Sequence, residues 1–230
     1  MTSAEMDLKN DFFSRGLEKL SATSFTDFNG ASYTFKQACI FYSQEVLPLC
    51  LSKNTKIGFI CDSTLHSHII SAMLVLSEAQ AYFLSEGLVH NQAFNLELLE
   101  LDYILYSMYA DIKITPSCGL VEIKYDPFAL QSSSINEYDF QLFLDKAISC
   151  EPGKSIFFSS GSTGIPKGIP LSYCNINSCY NAVSRDVLSN IKYTEIISVH
   201  NTSFVILLPF LFAFSFSPNT ILAAAACSTS

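Results

Sequence analysis

The chain has 230 residues, which is enough for one large domain or two small ones with a substantial core. Hydrophobic residues make up 49% of the sequence and charged residues 15%, so the chain is neither disordered nor dominated by its surface. The formal net charge is −8 and Lys and Arg form no cluster, which argues against nucleic acid as a partner. An anionic substrate would need a local positive site.

The first residues and the cysteines indicate a cytoplasmic protein. Glu5 and Asp7 stand where a secretory signal has its basic and apolar regions. The 8 cysteines contain no Cys-x-x-Cys pair, and disulfide frameworks belong to short secreted chains. We therefore expect reduced thiols and a cytoplasmic location.

From Thr34 onward, helix-like and strand-like stretches alternate along the chain. Strands are predicted at 56–61, 81–84, 103–106, 121–124 and 155–158. Helices are predicted at 35–47, 64–78, 91–99 and 172–188. Polar residues placed to cap these helices are Thr34, Asp62 or Ser63, and Ser172. The alternation predicts an α/β fold with a mostly parallel sheet covered by helices on both faces. The Ser-rich stretch 131–136 is a candidate subdomain seam.

The C-terminal part of the chain is unusually apolar. No charged side chain follows Glu195, and the segment 204–226 approaches the length of about 20 residues that a membrane span needs. Pro209, Pro218 and Asn219 interrupt it, and no basic flank would orient a span. We expect a buried helix and strand here, with membrane association through 204–226 as an alternative hypothesis.

The stretch from Ser155 to Gly168 carries the clearest chemical signal. An apolar strand leads into a loop with two glycines, four hydroxyl residues and one lysine. Glycines allow positive φ and close approach to a ligand, and successive N–H groups form an anion-binding nest. A lysine supplies a point charge for phosphate oxygens. The loop therefore predicts a polyphosphate site, whose residues are Ser159, Ser160, Gly161, Ser162, Thr163, Gly164 and Lys167.

Two common phosphate loops do not fit this stretch. A P-loop needs Gly-Lys followed by Ser or Thr, but Lys167 lies between Pro166 and Gly168. The dinucleotide pattern G-x-G-x-x-G is absent, because two residues separate Gly161 from Gly164. A third class of phosphate loop remains, and the alternative is an ordinary turn with an exposed lysine.

Other polar groups have ordinary interpretations. His66 and His68 are two residues apart on a predicted helix and cannot chelate a metal from one face, so no metal site is predicted. Glu97, Glu100 and Asp102 are interpreted as a solvated acidic face.

The stretch from Phe158 to Gly168 resembles the Tyr-Thr-Ser-Gly-Ser-Thr-Gly-x-Pro-Lys-Gly signature of the adenylate-forming superfamily. Acyl-CoA synthetases, luciferases and peptide-synthetase adenylation domains belong to that family. Further segments are similar to family motifs, at 31–36, 56–60, 72–84, 172–175 and 202–205. The resemblance implies a ligase that uses ATP and Mg²⁺ to activate a carboxylic acid as an acyl-adenylate, usually for transfer to a thiol. In that scheme the loop grips the β- and γ-phosphates.

Gln80 and Tyr173 replace the usual Gly and His of two of these segments, and two further departures from the family bear on function. Val205 stands where amino-acid-activating members have an Asp that pairs with the substrate ammonium, which favours an acid without an α-amino group. The later Tyr-Gly-x-Thr-Glu motif, the ribose-binding Asp and the mobile C-terminal domain have no counterpart. Residues 1–230 are therefore expected to be one truncated N-terminal domain that is inactive alone. Whether a partner chain supplies the missing parts is left open by the sequence, as are a fragment of a longer protein and a pseudogene product. A second hypothesis is a non-catalytic remnant or a partner-dependent interaction module.

Overall fold

A computed structural model of the chain describes residues 24–26, 32–34, 52–62, 65–114, 119–126, 153–159, 165–183, 195–198 and 221–224. The strands among them are β1 (Ser24–Thr26), β2 (Ser32–Thr34), β3 (Lys56–Cys61), β4 (Gln80–Ser85), β5 (Tyr103–Ser107), β6 (Val121–Tyr125), β7 (Lys154–Ser159), β8 (Lys167–Ser172), β9 (Glu195–Ser198) and β10 (Ile221–Ala224). The helices are α1 (Leu65–Leu76), the single turn α2 (Glu86–Val89) and α3 (Tyr173–Val183), and Leu96–Leu99 forms a 3₁₀ helix.

The main sheet contains six strands in the order β6-β5-β3-β4-β7-β8. Neighbouring strands run parallel from β6 to β7, and β8 alone in this sheet is antiparallel to its neighbour. Parallel neighbours need a crossover connection, which α1 provides between β3 and β4. The predicted α/β class with a mostly parallel sheet is therefore confirmed. Two short pairs, β1 with β2 and β9 with β10, are separate from this sheet.

One face of the sheet forms an aromatic core next to α1. Alternate residues of neighbouring strands point to this face, so Phe59, Phe83 and Phe157 meet there. The rings of Phe83 and Phe157 stack with centroids 4.7 Å apart, and Phe59 meets Phe83 edge-on at 6.5 Å. Ile70 and Leu74 of α1 are fully buried. Helical spacing of apolar residues predicted α1 correctly.

The opposite face is covered by the chain between β4 and β6. Its buried centre consists of Ile60, Leu84, Leu101, Ile104 and Tyr106. The half-buried residues around it lie mainly in the two connections, at 88–99 and 110–120. The predicted helix at 91–99 is wrong, because the chain there forms a turn followed by the short 3₁₀ helix.

Of the remaining predictions on secondary structure, some are confirmed and others lie outside the described residues. The five predicted strands are present, each within two residues of its predicted bounds, but β8 was not predicted. The predicted helix at 35–47, the seam at 131–136 and most of 204–226 lie outside the described residues. No helix in the described part of the chain is long and apolar enough to cross a membrane.

Candidate functional site

The predicted phosphate loop connects the two strands of a hairpin at the carboxyl edge of the sheet. β7 ends at Ser159, β8 begins at Lys167, and these two residues are opposite each other in the strand register. Ligands of open α/β sheets bind beyond the carboxyl ends of the strands, which is the edge where this loop lies. Ser159 is half-buried and Lys167 is exposed. Residues 160–164 lie outside the described residues, so their part in the site stays a prediction.

Gly168 allows close packing at the base of this hairpin. A Cβ at Gly168 would lie 3.3 Å from Cγ2 of Ile156 and 3.4 Å from Cε1 of Phe158, which is tighter than most real contacts. The Phe158 ring therefore lies against the backbone of β8. Pro170 lacks a backbone N–H and is tolerated because β8 is the edge strand of its sheet as far as the chain is described.

The chain leaves β8 through a capped helix start. The Asn175 amide donates to Ser172 Oγ at 3.2 Å, and the Ser172 amide donates to Asn175 Oδ1 at 3.0 Å. This reciprocal pair has the pattern of a capping box, with Asn in the place of Glu or Gln. The predicted cap at Ser172 is therefore confirmed, and it fixes the direction in which α3 follows the hairpin.

Acidic residues follow the neighbouring parallel strands at the same edge. Asp62 follows β3, and Glu86 begins α2 directly after β4. The buried Tyr125, at the end of β6, donates its hydroxyl to Asp62 Oδ2 at 3.3 Å. Burial, and then the Asp62 carboxylate, raise the pKa of Glu86 above its ordinary value. Burial, again followed by Asp62, raises the pKa of Tyr125 well above its ordinary value.

Asp62 was predicted only as a possible helix cap, and neither Asp62 nor Glu86 was predicted as a site residue. The available signal was positional, because each of them follows a short apolar strand directly. No group of three His, Cys, Asp or Glu side chains that could hold a metal ion occurs among the described residues. The side chains of His66 and His68 lie outside the described set.

The acidic residues at 97–102 lie at the opposite edge of the sheet. Glu97, Glu100 and Asp102 are all exposed, which confirms a solvated acidic face. Two of them also bind Lys56 at the start of β3. Its ammonium lies 3.1 Å from Glu100 Oε2, and its amide donates to Asp102 Oδ2 at 2.8 Å.

Comparison with solved structures identifies the fold. The AMPPNP-bound form of the nonribosomal peptide synthetase FmoA3 superposes with a TM-score of 0.68 at 10% identity, covering 96% of this chain and 23% of that one. VinN gives 0.64 at 13% identity, covering 94% and 56%. The N-terminal domain of FACL13 from Mycobacterium tuberculosis, in an inhibitor-bound structure, gives 0.64 at 13% identity, covering 95% and 57%.

The fold is that of the N-terminal part of adenylate-forming enzymes, as the loop motif predicted. No protein-family model and no curated protein sequence matches the chain. The chain spans less than two thirds of the length of these structural neighbours.

Proposed function

We propose that the loop from Ser159 to Lys167 binds the polyphosphate of ATP, within the N-terminal part of an adenylate-forming ligase. The observation that carries the proposal is the hairpin, which places Ser159 and Lys167 side by side at the carboxyl edge of the sheet. The AMPPNP-bound form of FmoA3, which shares this fold, supports a nucleotide as the ligand.

The charges around the hairpin suit a polyphosphate held by one lysine. Lys56 and Lys154 begin their strands in the parallel part of the sheet, so they lie at the opposite edge. Lys167 is exposed at the carboxyl edge and supplies positive charge there, in a chain whose net charge is −8. A cation in this position stabilises the negative charge that develops on a leaving pyrophosphate.

We propose that ATP binds together with Mg²⁺. Magnesium usually keeps several waters and takes phosphate oxygens together with one or two carboxylates. Asp62 and Glu86 lie along the same edge as the loop and are the described carboxylates closest to it in the strand order. Their place follows from the sheet, since β4 is the neighbour of β7 and β3 the neighbour of β4.

The proposed reaction is the activation of a carboxylic acid. Its carboxylate attacks the α-phosphorus of ATP, giving an acyl-adenylate and pyrophosphate, and the acyl group then passes to a thiol with release of AMP. Val205 favours an acid without an α-amino group. Alignment of the two reactants can lower the activation barrier of such a reaction by about 7–11 kcal/mol. We propose that segments beyond these 230 residues, or a partner chain, align the reactants. In this proposal the protein is cytoplasmic. The isolated chain binds nucleotide but does not catalyse acid-dependent pyrophosphate exchange.

Titration calorimetry of the purified chain with MgATP and with pyrophosphate tests the phosphate site. Lys167→Ala should weaken both affinities about 10- to 150-fold, the range for a hydrogen bond to a charged group. Lys154→Ala is the matched control, because Lys154 is exposed on the adjacent strand at the opposite edge.

Unchanged binding by Lys167→Ala would show that this lysine is not a phosphate ligand. If the wild-type chain binds neither ligand, the nucleotide proposal fails and the interaction module becomes the better interpretation.

A further inference from the structure

We infer that Phe94 is a positioning residue for the phosphate loop, acting through Phe158. This inference rests on the proposed function. The two rings meet edge-to-face, with centroids 5.3 Å apart and planes at 81°. Phe158 is the residue before Ser159 in β7, so Phe94 contacts the strand immediately before the loop begins.

A tight turn holds the backbone of Phe94 in place. The Phe94 amide donates to the Asn91 carbonyl at 2.9 Å, and the Ala93 amide donates to Asn91 Oδ1 at 2.9 Å. Directly after Phe94, Asn95 Oδ1 accepts from the Glu97 amide at 2.9 Å and caps the 3₁₀ helix. Side-chain bonds of this kind replace the helix that the apolar spacing predicted. Phe94 is therefore presented to β7 from a backbone anchored on both sides.

Phe158 belongs to β7 and also lies against β8, so it links Phe94 to both strands of the hairpin. It is opposite Gly168 in the register, one step inside the pair formed by Ser159 and Lys167. Its ring lies against Gly168, as the 3.4 Å separation from a Cβ built there shows. Phe158 is only half-buried, so removal of the Phe94 ring leaves it room to change rotamer. The spacing between Ser159 and Lys167 would then be less well fixed.

The test compares three variants of Phe94 with a control in the same apolar cluster. Phe94→Ala and Phe94→Leu both remove the ring, and Leu keeps most of the apolar volume. Both should weaken MgATP and pyrophosphate binding about 2- to 10-fold, the value of an edge-to-face pair. Phe94→Tyr keeps the ring and should restore wild-type affinity.

Leu99→Ala is the matched control. Leu99 packs against the same cluster, but its carbonyl accepts from Lys56 Nζ at 3.3 Å, at the opposite edge of the sheet. The variant should be less stable than wild type but should keep wild-type affinity in its folded state. A purely structural effect of Phe94 would instead make Phe94→Leu and Leu99→Ala alike.

Hydrogen exchange separates this inference from the proposed function, because it needs no nucleotide. Amides of β7 and β8 should exchange faster in Phe94→Leu than in Leu99→Ala. Equal exchange in the two variants would overturn the inference, as would wild-type nucleotide affinity in Phe94→Leu. Failure of the wild-type chain to bind MgATP would refute only the nucleotide proposal, since the exchange result still decides whether Phe94 positions the hairpin.

Discussion

Gly153 offers a severe steric test of how β7 is held in the sheet. It directly precedes β7, and its amide donates to the Ser77 carbonyl at 2.7 Å. A Cβ at Gly153 would overlap the carbonyl oxygens of Glu78 and Ala79 and lie 2.6 Å from the Ala79 carbonyl carbon, whereas real Cβ atoms essentially never come within 3.0 Å of a neighbour. These obstacles are backbone atoms, so Gly153→Ala must displace the start of β7.

Two other glycines give a graded comparison with the same substitution. Overpacking costs about 1–3 kcal/mol, and loss of the amide hydrogen bond adds about 0.5–1.5 kcal/mol. Gly153→Ala should therefore lower the free energy of unfolding by about 2–4 kcal/mol. At Gly58 the obstacle is Leu101 Cδ1 at 2.6 Å, the end of a flexible side chain, and we expect about 1–2 kcal/mol. At Gly87 the space is open, and alanine in α2 should be neutral or stabilise by up to about 1 kcal/mol.

Urea denaturation followed by circular dichroism measures this order. The free energy of unfolding should fall from Gly87→Ala to Gly58→Ala to Gly153→Ala, with similar m-values for the three variants. A Gly153→Ala protein as stable as Gly87→Ala would refute the close packing of β7 on Glu78 and Ala79. The position assigned to the phosphate loop would then lose its support, because β7 leads directly into it.

Two further predictions concern the capping box at Ser172 and the carboxyl group of Glu86. Ser172→Ala removes an acceptor of the capping box and should lower the free energy of unfolding by about 1 kcal/mol, whereas an exposed serine such as Ser52, replaced in the same way, should show a smaller loss. The pKa of Glu86 in the folded protein is raised above the ordinary glutamate value of about 4.3 that applies to the unfolded chain. Below that ordinary value Glu86 makes its full contribution to the free energy of unfolding, and this contribution is lost as pH rises through the raised pKa. Glu86→Gln should therefore unfold at higher urea than wild type at pH 7 and lose that advantage near pH 4, and a pH-independent difference would contradict the assignment.

The parallel strands could be predicted because each is a short apolar run between polar residues. For β3 the predicted and observed bounds agree at both ends. β8 could not be predicted in this way, since Lys167–Ser172 contains Gly168 and Pro170 and most of it is exposed. Its strand conformation depends on pairing with β7, which is a property of the fold and not of the local sequence.

The wrong helix at 91–99 has a local cause. Leu96 and Leu99 are at helical spacing, but Leu98 beside them is 78% exposed, so the apolar residues do not form one buried face. Asn91 and Asn95 use their side chains to bind the backbone amides of Ala93 and Glu97. Such bonds favour turns over a continuous helix, and the asparagines were visible in the sequence.

The phosphate motif and the scaffold around it differ in how far sequence reveals them. The motif is local, so its glycines, hydroxyls and Lys167 indicate a phosphate ligand without any fold. The supporting contacts are not local, because Phe94 reaches Phe158 only after β5, β6 and the rest of the crossover have placed β7 beside β4. The proposed binding loop needs such support, because within the described part of the chain β8 has one strand neighbour, β7. In our proposal the packing of Phe94 on Phe158 provides that support, so one positioning residue lies in a distant connection and the other at the start of the motif.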